Sequence, residues 1–414
     1  MHIVIVGNGI TGITAARFVR KRSDCRITVV SGESEHFYAR TALMYIYMGD
    51  LRYQDTKPYA DDFWAKNRIG LVQGFATRID GAAKTLELAS GERIAFDKLL
   101  IATGSRPNRF GWPGEHAIGV QGLYGLDDLA LMEENTDGIG QAVVVGGGLI
   151  GVEMAEMLSA RGIAVTFMVR EQHYMDYLLS ESESGLMEAA IRAHGVNLEL
   201  GASLDHIAVD EEGRAKGVVL QDGREFPAQF VGLAVGLHPN VQLARDSGVE
   251  VGAGVLINNS FQTSMPDVFA AGDCAEFKTP APGQRPIEQL WYTGRSHGRQ
   301  VANGLLGTPE AYSRPLFFNS AKAFDLEYQT YGTVPPEPAP DQDEIVCGDG
   351  QRQVRIVFEQ EARAVVGVNA LGIRLRQNVW SHWIRNGFTV DAVIAEFHRG
   401  VFDPEFTPAI EVVA

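Results

Sequence analysis

Two glycine-rich segments have the spacing from which proteins build pyrophosphate sites. They are G-N-G-I-T-G at 7–12 and G-G-G-L-I-G at 146–151. In a G-x-G-x-x-G loop the first glycine permits a tight turn, the second lets a pyrophosphate approach the backbone, and the third lets helix and strand pack closely. The helix that follows offers unpaired N–H groups and the positive end of its dipole to the phosphates. The predicted phosphate-binding residues are Gly7, Gly9, Ile10, Thr11 and Gly12 in the first loop, and Gly146, Gly148, Leu149, Ile150 and Gly151 in the second.

The elements around both loops follow the same order. A β-branched run at 2–7 precedes the first loop, a helix is predicted at 13–22, and a second strand at 26–30. The second loop repeats this order, with a strand at 141–145, a helix at 152–161 and a strand at 163–169. A lone glycine motif is weak, but strand, loop, helix and strand in sequence are typical of dinucleotide binding. The repetition predicts two dinucleotide sites.

The residues about 20 positions past each loop bear on the choice of dinucleotide. A carboxylate there binds the adenosine ribose, whereas an arginine accommodates a 2′-phosphate. The first unit ends in Ser31-Gly32-Glu33, so Ser31 and Glu33 are predicted at the ribose. The second ends in Val169-Arg170-Glu171, where Arg170 would either attract a 2′-phosphate or be a solvated surface charge. The sequence therefore leaves NADH and NADPH open.

Four further segments are the basis of a family resemblance: A-T-G-S-R-P at 102–107, A-V-G-L-H-P-N at 234–240, T-S-M-P-D-V-F-A-A-G-D at 263–273 and I-E-Q-L-W at 287–291. With the two loops, they make nearly the whole chain resemble the pyridine nucleotide–disulfide oxidoreductase superfamily. It is most similar to the branch without a redox disulfide, which includes ferredoxin and rubredoxin reductases and the nitrite-reductase flavin domain. The resemblance implies FAD and NAD(P)H as cofactors. It adds Ala76, Ala102, Thr103, Gly104, Gly272, Asp273, Gln289, Leu290 and Trp291 to the FAD site, with Asp273 on the ribityl chain, and Gly236 at the exit from the NAD(P) domain.

A further segment, Y-A-R-T-A-L-M-Y at 38–45, resembles the family's Y-x-R-P-x-L-S-K near the isoalloxazine and adds Arg40 and Thr41 to the FAD site. Thr41 stands where proline is usual, and Tyr45 where a lysine often lies. In members with that lysine, it pairs with a glutamate from the second loop's helix, here Glu153. We therefore predict Glu153 as the catalytic residue; the alternative is a helix-start carboxylate stabilised by the dipole.

The expected fold is α/β, with two Rossmann-like domains and an α+β interface domain. The FAD domain comprises 1–112 and 246–315 and is interrupted by the NAD(P) domain at 113–245; the C-terminal domain is 316–414. Within the last, we predict a loop at 335–341, hairpin strands at 354–358 and 364–368, and helices at 379–386 and 390–397. The segment 320–326 resembles the dimer-forming domain of NADH-oxidase and coenzyme A reductase members, which implies a homodimer.

Composition excludes several function classes. The chain has 414 residues, 45% hydrophobic and 21% charged, with a net charge of −16. Such acidity argues against nucleic acid and anionic membranes as partners. We find neither an apolar run long enough to span a membrane nor a signal peptide, so we expect a cytoplasmic protein. The three cysteines, Cys25, Cys274 and Cys347, are too dispersed for a redox disulfide or a metal site.

The cysteines that the chain lacks exclude some electron acceptors and leave others open. No cysteine lies at 38–50, where related peroxidases, oxidases and coenzyme A disulfide reductases carry one. We expect electrons to leave toward a small carrier such as a ferredoxin or rubredoxin. One alternative is a small-molecule acceptor (quinone, oxygen or another organic compound) in a pocket near Trp291, Tyr45 and His297. A histidine on a helix is more often structural than a proton donor, so a structural role is the competing interpretation of His297. Another alternative is a flavin-bound redox sensor or assembly subunit without turnover.

Charge gives limited guidance on a carrier protein. From residue 316 onward the chain has 8 Lys and Arg against 14 Asp and Glu. An acidic ferredoxin would need a basic surface. Arg374, Arg376 and Arg385 would form one locally, or they are simply solvated charges.

Overall fold

The computed structural model describes residues 1–281 and 283–405. The chain divides into two compact units. The first comprises Met1–Asn108, Tyr124–Glu133 and Gly236–Arg314. The second comprises Arg109–Leu123, Glu134–Val235 and the chain from Pro315 onward.

The first unit is built on a parallel sheet of five strands. In spatial order they are Val268–Ala270, Lys98–Ile101, His2–Val6, Arg26–Ser31 and Ile69–Gln73. The central strand has the sequence His-Ile-Val-Ile-Val, and its last four residues are buried. A continuous apolar run is what a parallel strand covered on both faces requires. The first glycine loop leaves this central strand.

Smaller elements complete the first unit. Its additional strands are Ala76–Asp80, Thr85–Leu88 and Arg93–Ala95 in one antiparallel sheet, Ser105–Pro107 with Leu237–Pro239, and Val255–Ile257 with Ala275–Phe277. Its helices are Ile10–Arg20, Leu43–Met48, Phe63–Lys66, Gln242–Asp246 and Trp291–Leu305. Helix Leu126–Asn135 has its first eight residues in this unit and its last two in the other.

The second unit contains a parallel sheet of the same design. Its order is Asn197–Glu199, Ala164–Met168, Gln141–Val145, Phe230–Leu233 and Val120–Gln121. The second glycine loop again leaves the central strand, and the helices Leu149–Ala160 and Glu181–Ala193 follow. Strands Leu204–Val209, Ala215–Leu220 and Glu225–Pro227 form an antiparallel sheet. Both parallel sheets thus place a glycine loop at the carboxyl end of the middle strand, where α/β proteins bind ligands.

The C-terminal segment of the second unit is an antiparallel sheet with helices. The strand order is Phe318–Ala323, Leu326–Gly332, Val365–Leu371, Gln353–Glu359 and Gln342–Gly348. Helices Gln377–Arg385, Val390–Ala395 and Phe397–Gly400 follow, and Trp380 and Trp383 of the first are buried against the sheet's apolar core.

The predicted fold class is confirmed: two Rossmann-like sheets and an α+β segment are present. The hairpin strands predicted at 354–358 and 364–368 pair antiparallel, and 335–341 is a loop. Both loop helices begin three residues earlier than expected, because the glycine turn leads directly into the helix at Ile10 and Leu149. The helix predicted at 390–397 instead ends at Ala395. The domain boundaries stay a prediction; Gly236 lies in the first unit rather than with the predicted NAD(P) domain.

Among the described residues, no helix combines the length and apolar character needed to cross a bilayer.

Candidate functional site

The first glycine loop has the backbone of a phosphate cradle. Gly7 has φ +113°, and a Cβ there would lie 2.1 Å from the Ala102 carbonyl oxygen. A Cβ on Gly12 would lie 2.0 Å from the Gly7 carbonyl oxygen, so helix and strand approach as closely as their backbones allow. A Cβ on Gly9 would meet no atom within 4 Å, and no side chain caps the helix that starts at Ile10. The loop therefore presents open space and uncapped N–H groups, which fit a pyrophosphate.

The second loop repeats this geometry in the second unit. Gly146 has φ +119°, and its Cβ would lie 2.2 Å from the Ala234 carbonyl oxygen. A Cβ on Gly151 would lie 2.0 Å from the Gly146 carbonyl oxygen, while a Cβ on Gly148 would meet no atom within 4 Å. The helix from Leu149 has neither a side-chain cap nor an acidic residue in its first turn. Each unit thus has one cradle that fits a dinucleotide.

The structure joins two predicted FAD residues that lie seven positions apart. The Glu33 carboxylate accepts hydrogen bonds from Arg40 and from the Tyr38 hydroxyl, each at 2.5 Å, and from the Leu126 N–H at 3.0 Å. Burial alone would raise the pKa of Glu33, but the hydrogen bond and charge of Arg40 outweigh it and hold the pKa below its usual range. Glu33 is therefore ionised, and a quarter of its side chain remains exposed.

Tyr124 was missed by sequence reasoning, and no motif marks it. The Arg40 guanidinium lies 4.5 Å from the centre of its ring, and Arg40 also donates to the Tyr124 carbonyl. The phenol oxygen accepts the Ser105 N–H at 2.8 Å. A Cβ on Gly104, which has φ +69°, would lie 2.6 Å from that oxygen. Tyr124 therefore ties the Gly104–Ser105 turn to Arg40.

Asp273 has the environment expected for a polyol ligand. It follows Gly272, which has φ +80°, and its carboxylate accepts a hydrogen bond from the Ser105 hydroxyl at 3.2 Å. Burial raises the pKa of Asp273. Across the described residues, no cation forms an ion pair with it. The carboxylate is half-buried and has one side-chain donor, Ser105, so hydroxyl groups of a ribityl chain would supply further donors that offset its desolvation.

The remaining predicted FAD residues all lie in the first unit. Ser31 is buried at the end of its strand, Ala102 is buried beside Gly7, and Trp291 stacks on Phe37 with ring centres 6.1 Å apart. The other members are Thr103, whose hydroxyl donates to the Asn240 carbonyl at 2.7 Å, half-buried Gln289 and Leu290, exposed Thr41, and Ala76, which begins a separate antiparallel sheet.

The end of strand Ala164–Met168 leaves the choice of nicotinamide cofactor open. Val169 is fully buried and faces Gly147. The Arg170 side chain is 78% exposed, and its Nη2 lies 2.7 Å from Oε1 of Glu171. The first carboxylate after the strand, Glu171, is thus paired with Arg170. This arrangement is compatible with an arginine that binds a 2′-phosphate and equally with a solvent-exposed ion pair.

Glu153 has an unusual ionisation equilibrium for a glutamate. It lies half-buried on helix Leu149–Ala160 of the second unit. Burial, and then the charge of Glu156, raises the pKa of Glu153 to about 7. A carboxylate stabilised by the helix dipole would instead have a lowered pKa, and Glu153 lies beyond the first turn of its helix. A pKa near neutrality is what acid–base groups in active sites often have.

Other predicted functional residues lie elsewhere or are already paired. His297 fits the interpretation as a structural helix residue rather than as a proton donor, because its ring is fully buried and bonded on both nitrogens. Arg374 pairs with Glu327, and Arg376 donates to the Phe402 carbonyl, whereas Arg385 is exposed. All three cysteines are free thiols. The described residues contain no cluster of metal-binding side chains.

Comparison with known proteins gives consistent matches. The family model of the pyridine nucleotide-disulphide oxidoreductases matches residues 1–298. The ferredoxin–NAD(+) reductase subunit of the benzene 1,2-dioxygenase system of Pseudomonas putida is 29% identical over 74% of this chain and 74% of its own length. The rubredoxin-NAD(+) reductase of Ectopseudomonas oleovorans is 27% identical over 79% of this chain and 86% of its own. The ferredoxin reductase for the CYP199A2 system of Rhodopseudomonas palustris has the same fold, with a TM-score of 0.81, 24% identity, and 90% of this chain and 91% of that one covered.

Proposed function

The chain belongs to the pyridine nucleotide-disulphide oxidoreductase family, and we propose that it passes electrons from NADH or NADPH through FAD to a small electron-carrier protein such as a ferredoxin or a rubredoxin. Family membership confirms the predicted oxidoreductase class and the cofactors FAD and NAD(P)H. The observation that carries the proposal is the pair of glycine cradles on separate parallel sheets, each with an open middle glycine and an uncapped helix.

In this proposal the first unit holds FAD. The Gly7–Gly12 loop binds the pyrophosphate through backbone N–H groups, and Glu33 receives the adenosine ribose with the part of its carboxylate that Arg40 leaves exposed. Asp273 accepts hydrogen bonds from the ribityl hydroxyls, which offset its burial. Bound FAD supplies hydride acceptance from the nicotinamide and release of the electrons singly or in pairs.

The second unit holds NADH or NADPH in the proposal. The Gly146–Gly151 loop binds its pyrophosphate, and Arg170 lies where a 2′-phosphate would project. Glu153, which stands on the helix of the same loop, is the proposed catalytic residue. With a pKa of about 7, its carboxyl oxygen can hold or release a proton in the neutral range.

Two observations favour a protein as the electron acceptor. One is the placement of the cysteines, and the other is the names of the relatives. The free Cys274 and Cys347 are buried, Cys25 is half-buried, and 38–50 contains no cysteine. The matched reductases of Pseudomonas putida and Ectopseudomonas oleovorans are named for ferredoxin and rubredoxin systems. Exposed Arg385, with Arg374 and Arg376 on the same C-terminal segment, is a candidate for the contact with an acidic carrier.

The proposal also includes a cytoplasmic location and a homodimer formed by the C-terminal segment. The two edge strands of its sheet are Phe318–Ala323 and Gln342–Gly348. Phe317 before the first is 42% exposed and Val346 in the second 45%. Exposed apolar side chains at unpaired sheet edges favour association.

The test is a sequential anaerobic stopped-flow experiment. The purified flavoprotein is first mixed with NADH or NADPH, and loss of flavin absorbance is followed. It is then mixed with oxidised ferredoxin, rubredoxin, a quinone or oxygen, and recovery of the absorbance is followed. We expect bleaching well within a second and fastest recovery with a carrier protein. Faster recovery with a quinone or oxygen would establish the small-molecule alternative, and bleaching over minutes with both donors would favour the sensor.

A further inference from the structure

Segment 288–289 and turn 272–273 of the first unit are joined by two hydrogen-bonded branches. In the first branch, His297 Nδ1 accepts the Gly272 N–H at 3.1 Å, and His297 Nε2 lies 2.8 Å from Oε2 of Glu288. An N–H can only donate, so Nδ1 must be the unprotonated nitrogen, and Nε2 carries the proton toward Glu288. The branch therefore requires one tautomer of a neutral imidazole.

The second branch runs through Ser105. Gln289 Nε2 donates to Ser105 Oγ at 2.9 Å, and Ser105 Oγ donates to Asp273 Oδ2 at 3.2 Å. Glu288 is bonded covalently to Gln289, as is Gly272 to Asp273. The two branches consequently close into one ring with Asp273 at a corner, which restrains both its backbone and its carboxylate.

The side chain of His297 is restrained in one orientation by its surroundings. Its side chain is fully buried, and the rings of Phe261, Phe277 and Tyr312 stand edge-on around it, with centres at 5.2, 5.7 and 4.8 Å. Such aromatic contacts fix the plane of the imidazole and exclude water. The position of both nitrogens is therefore set before any ligand binds.

Glu288 is the anchor of the ring. Oε1 lies 2.7 Å from the Arg314 Nε as an ion pair, while Oε2 faces His297. Burial alone would raise the pKa of Glu288, but His297 and Arg314 outweigh it and hold the pKa below its usual range. An ionised carboxylate is a strong acceptor for the imidazole N–H, so it stabilises the tautomer that the Gly272 N–H needs.

The same histidine lies at the contact between the two helices nearest the cradle. A Cβ on Gly294 or Gly298, three residues before and one after it, would lie 2.9 Å from Thr11 Oγ1 or 2.3 Å from the Thr11 carbonyl oxygen. A Cβ on Gly272 would likewise lie 2.4 Å from Thr11 Oγ1. A displacement of His297 would therefore also displace Thr11 of the phosphate loop and the turn before Asp273.

We propose that His297 is a positioning residue for FAD: it fixes the Gly272–Asp273 turn, so that the Asp273 carboxylate is held ready for the ribityl hydroxyls. This inference rests on the proposed function, in which Asp273 binds the ribityl chain. Preorganisation of the carboxylate slows release of FAD, because the ordering cost is met before the ligand binds.

The test is a double-mutant cycle on FAD release from the holoprotein. The rate is read from the fluorescence of freed flavin after dilution, for wild type, His297→Leu, Asp273→Asn and the double variant. We expect His297→Leu to release FAD at least about tenfold faster, which corresponds to about 1.4 kcal/mol. In the Asp273→Asn background the same substitution should change the rate less than about twofold, because a residue that acts through another loses its effect when that other is removed.

Controls separate positioning from general damage. His297→Asn keeps an acceptor near the Gly272 N–H, so it should recover most of the slow release. His194→Leu breaks a comparable histidine–carboxylate pair, 2.9 Å from Asp325 in the second unit, and should leave the rate unchanged. If His297→Leu does not fold, the cycle is run with His297→Asn and His297→Gln, of which only the first presents the acceptor at Nδ1.

The outcomes distinguish the inference from the proposed function. Equal acceleration by His297→Leu with and without the Asp273 carboxylate would overturn the positioning role and leave FAD binding by Asp273 intact. If the cycle is run with His297→Asn and His297→Gln, equal FAD release rates for these two variants would also overturn the positioning role and leave FAD binding by Asp273 intact. If Asp273→Asn leaves FAD release unchanged, or if the wild type binds no FAD, the proposed FAD site itself is wrong.

Discussion

The sharpest prediction concerns the ionisation of Glu153. Its pKa is raised from 4.5 to about 7 by burial and by Glu156. A carboxyl whose pKa is higher in the folded than in the unfolded chain stabilises the fold only while it stays protonated. Its contribution is therefore fully present below pH 4.5 and is lost as the pH rises through about 7. The total loss is at most about 3 kcal/mol, since one pKa unit is about 1.4 kcal/mol.

The perturbation that isolates this effect is Glu153→Gln, which cannot ionise. The free energy of unfolding is measured by urea titration for wild type and variant at pH 6 and pH 8.5, above the sequence pI of about 5.1, because a net charge near zero promotes association. Between these values the wild type should lose about 1.4 kcal/mol more than the variant. Groups common to both proteins cancel in the comparison.

A second variant tests the cause. Glu156→Gln removes the neighbouring charge while its side-chain oxygen can still accept the Phe324 N–H, which now lies 2.8 Å from the carboxylate. The pKa of Glu153 should fall, so the pH-dependent loss should move to lower pH. If wild type and Glu153→Gln respond to pH alike, within about 0.3 kcal/mol, Glu153 is not a group that titrates near neutrality and its proposed catalytic role loses its physical basis.

Three further predictions test the cradles, the interior of the second unit and the cofactor. Gly12→Ala and Gly151→Ala each place a Cβ 2.0 Å from a carbonyl oxygen of their own loop. The Gly12 variant should purify without FAD, whereas the Gly151 variant should keep FAD but lose reduction by NAD(P)H. The same defect in both variants would contradict two separate sites. Arg355→Met leaves the fully buried Glu183 carboxylate without its cationic partner at 3.1 Å and should cost about 3–5 kcal/mol in urea unfolding; a loss below about 1 kcal/mol would show that this ion pair does not stabilise the fold. Arg170→Ala should raise KM for NADPH about tenfold and leave KM for NADH unchanged if the arginine binds a 2′-phosphate, whereas unchanged constants for both would make it a surface charge.

The elements that the sequence determined are those set by local geometry. Gly7, Gly12, Gly146 and Gly151 are required by backbone clashes within a few residues of themselves or with the adjacent strand. The β-branched runs before them are buried on both faces of a parallel sheet, which favours continuous apolar sequence. These local constraints repeat wherever the loop occurs, so the fold class and both cradles could be predicted from the order of residues, whereas the identity of the cofactors came from the family resemblance.

The arrangement around Asp273 could only be decided by the tertiary structure. Ser105 is 168 residues from Asp273 and 184 from Gln289, and His297 is 25 from Gly272. Nothing in the sequence near any of them specifies the partner. The sequence therefore offered His297 as a structural helix residue or a proton donor, but it did not show that the buried ring accepts the Gly272 N–H. Whether a polar side chain faces solvent, a ligand or another buried group depends on which distant segments pack together, because a buried hydrogen-bonding atom must find its partner wherever the fold brings one.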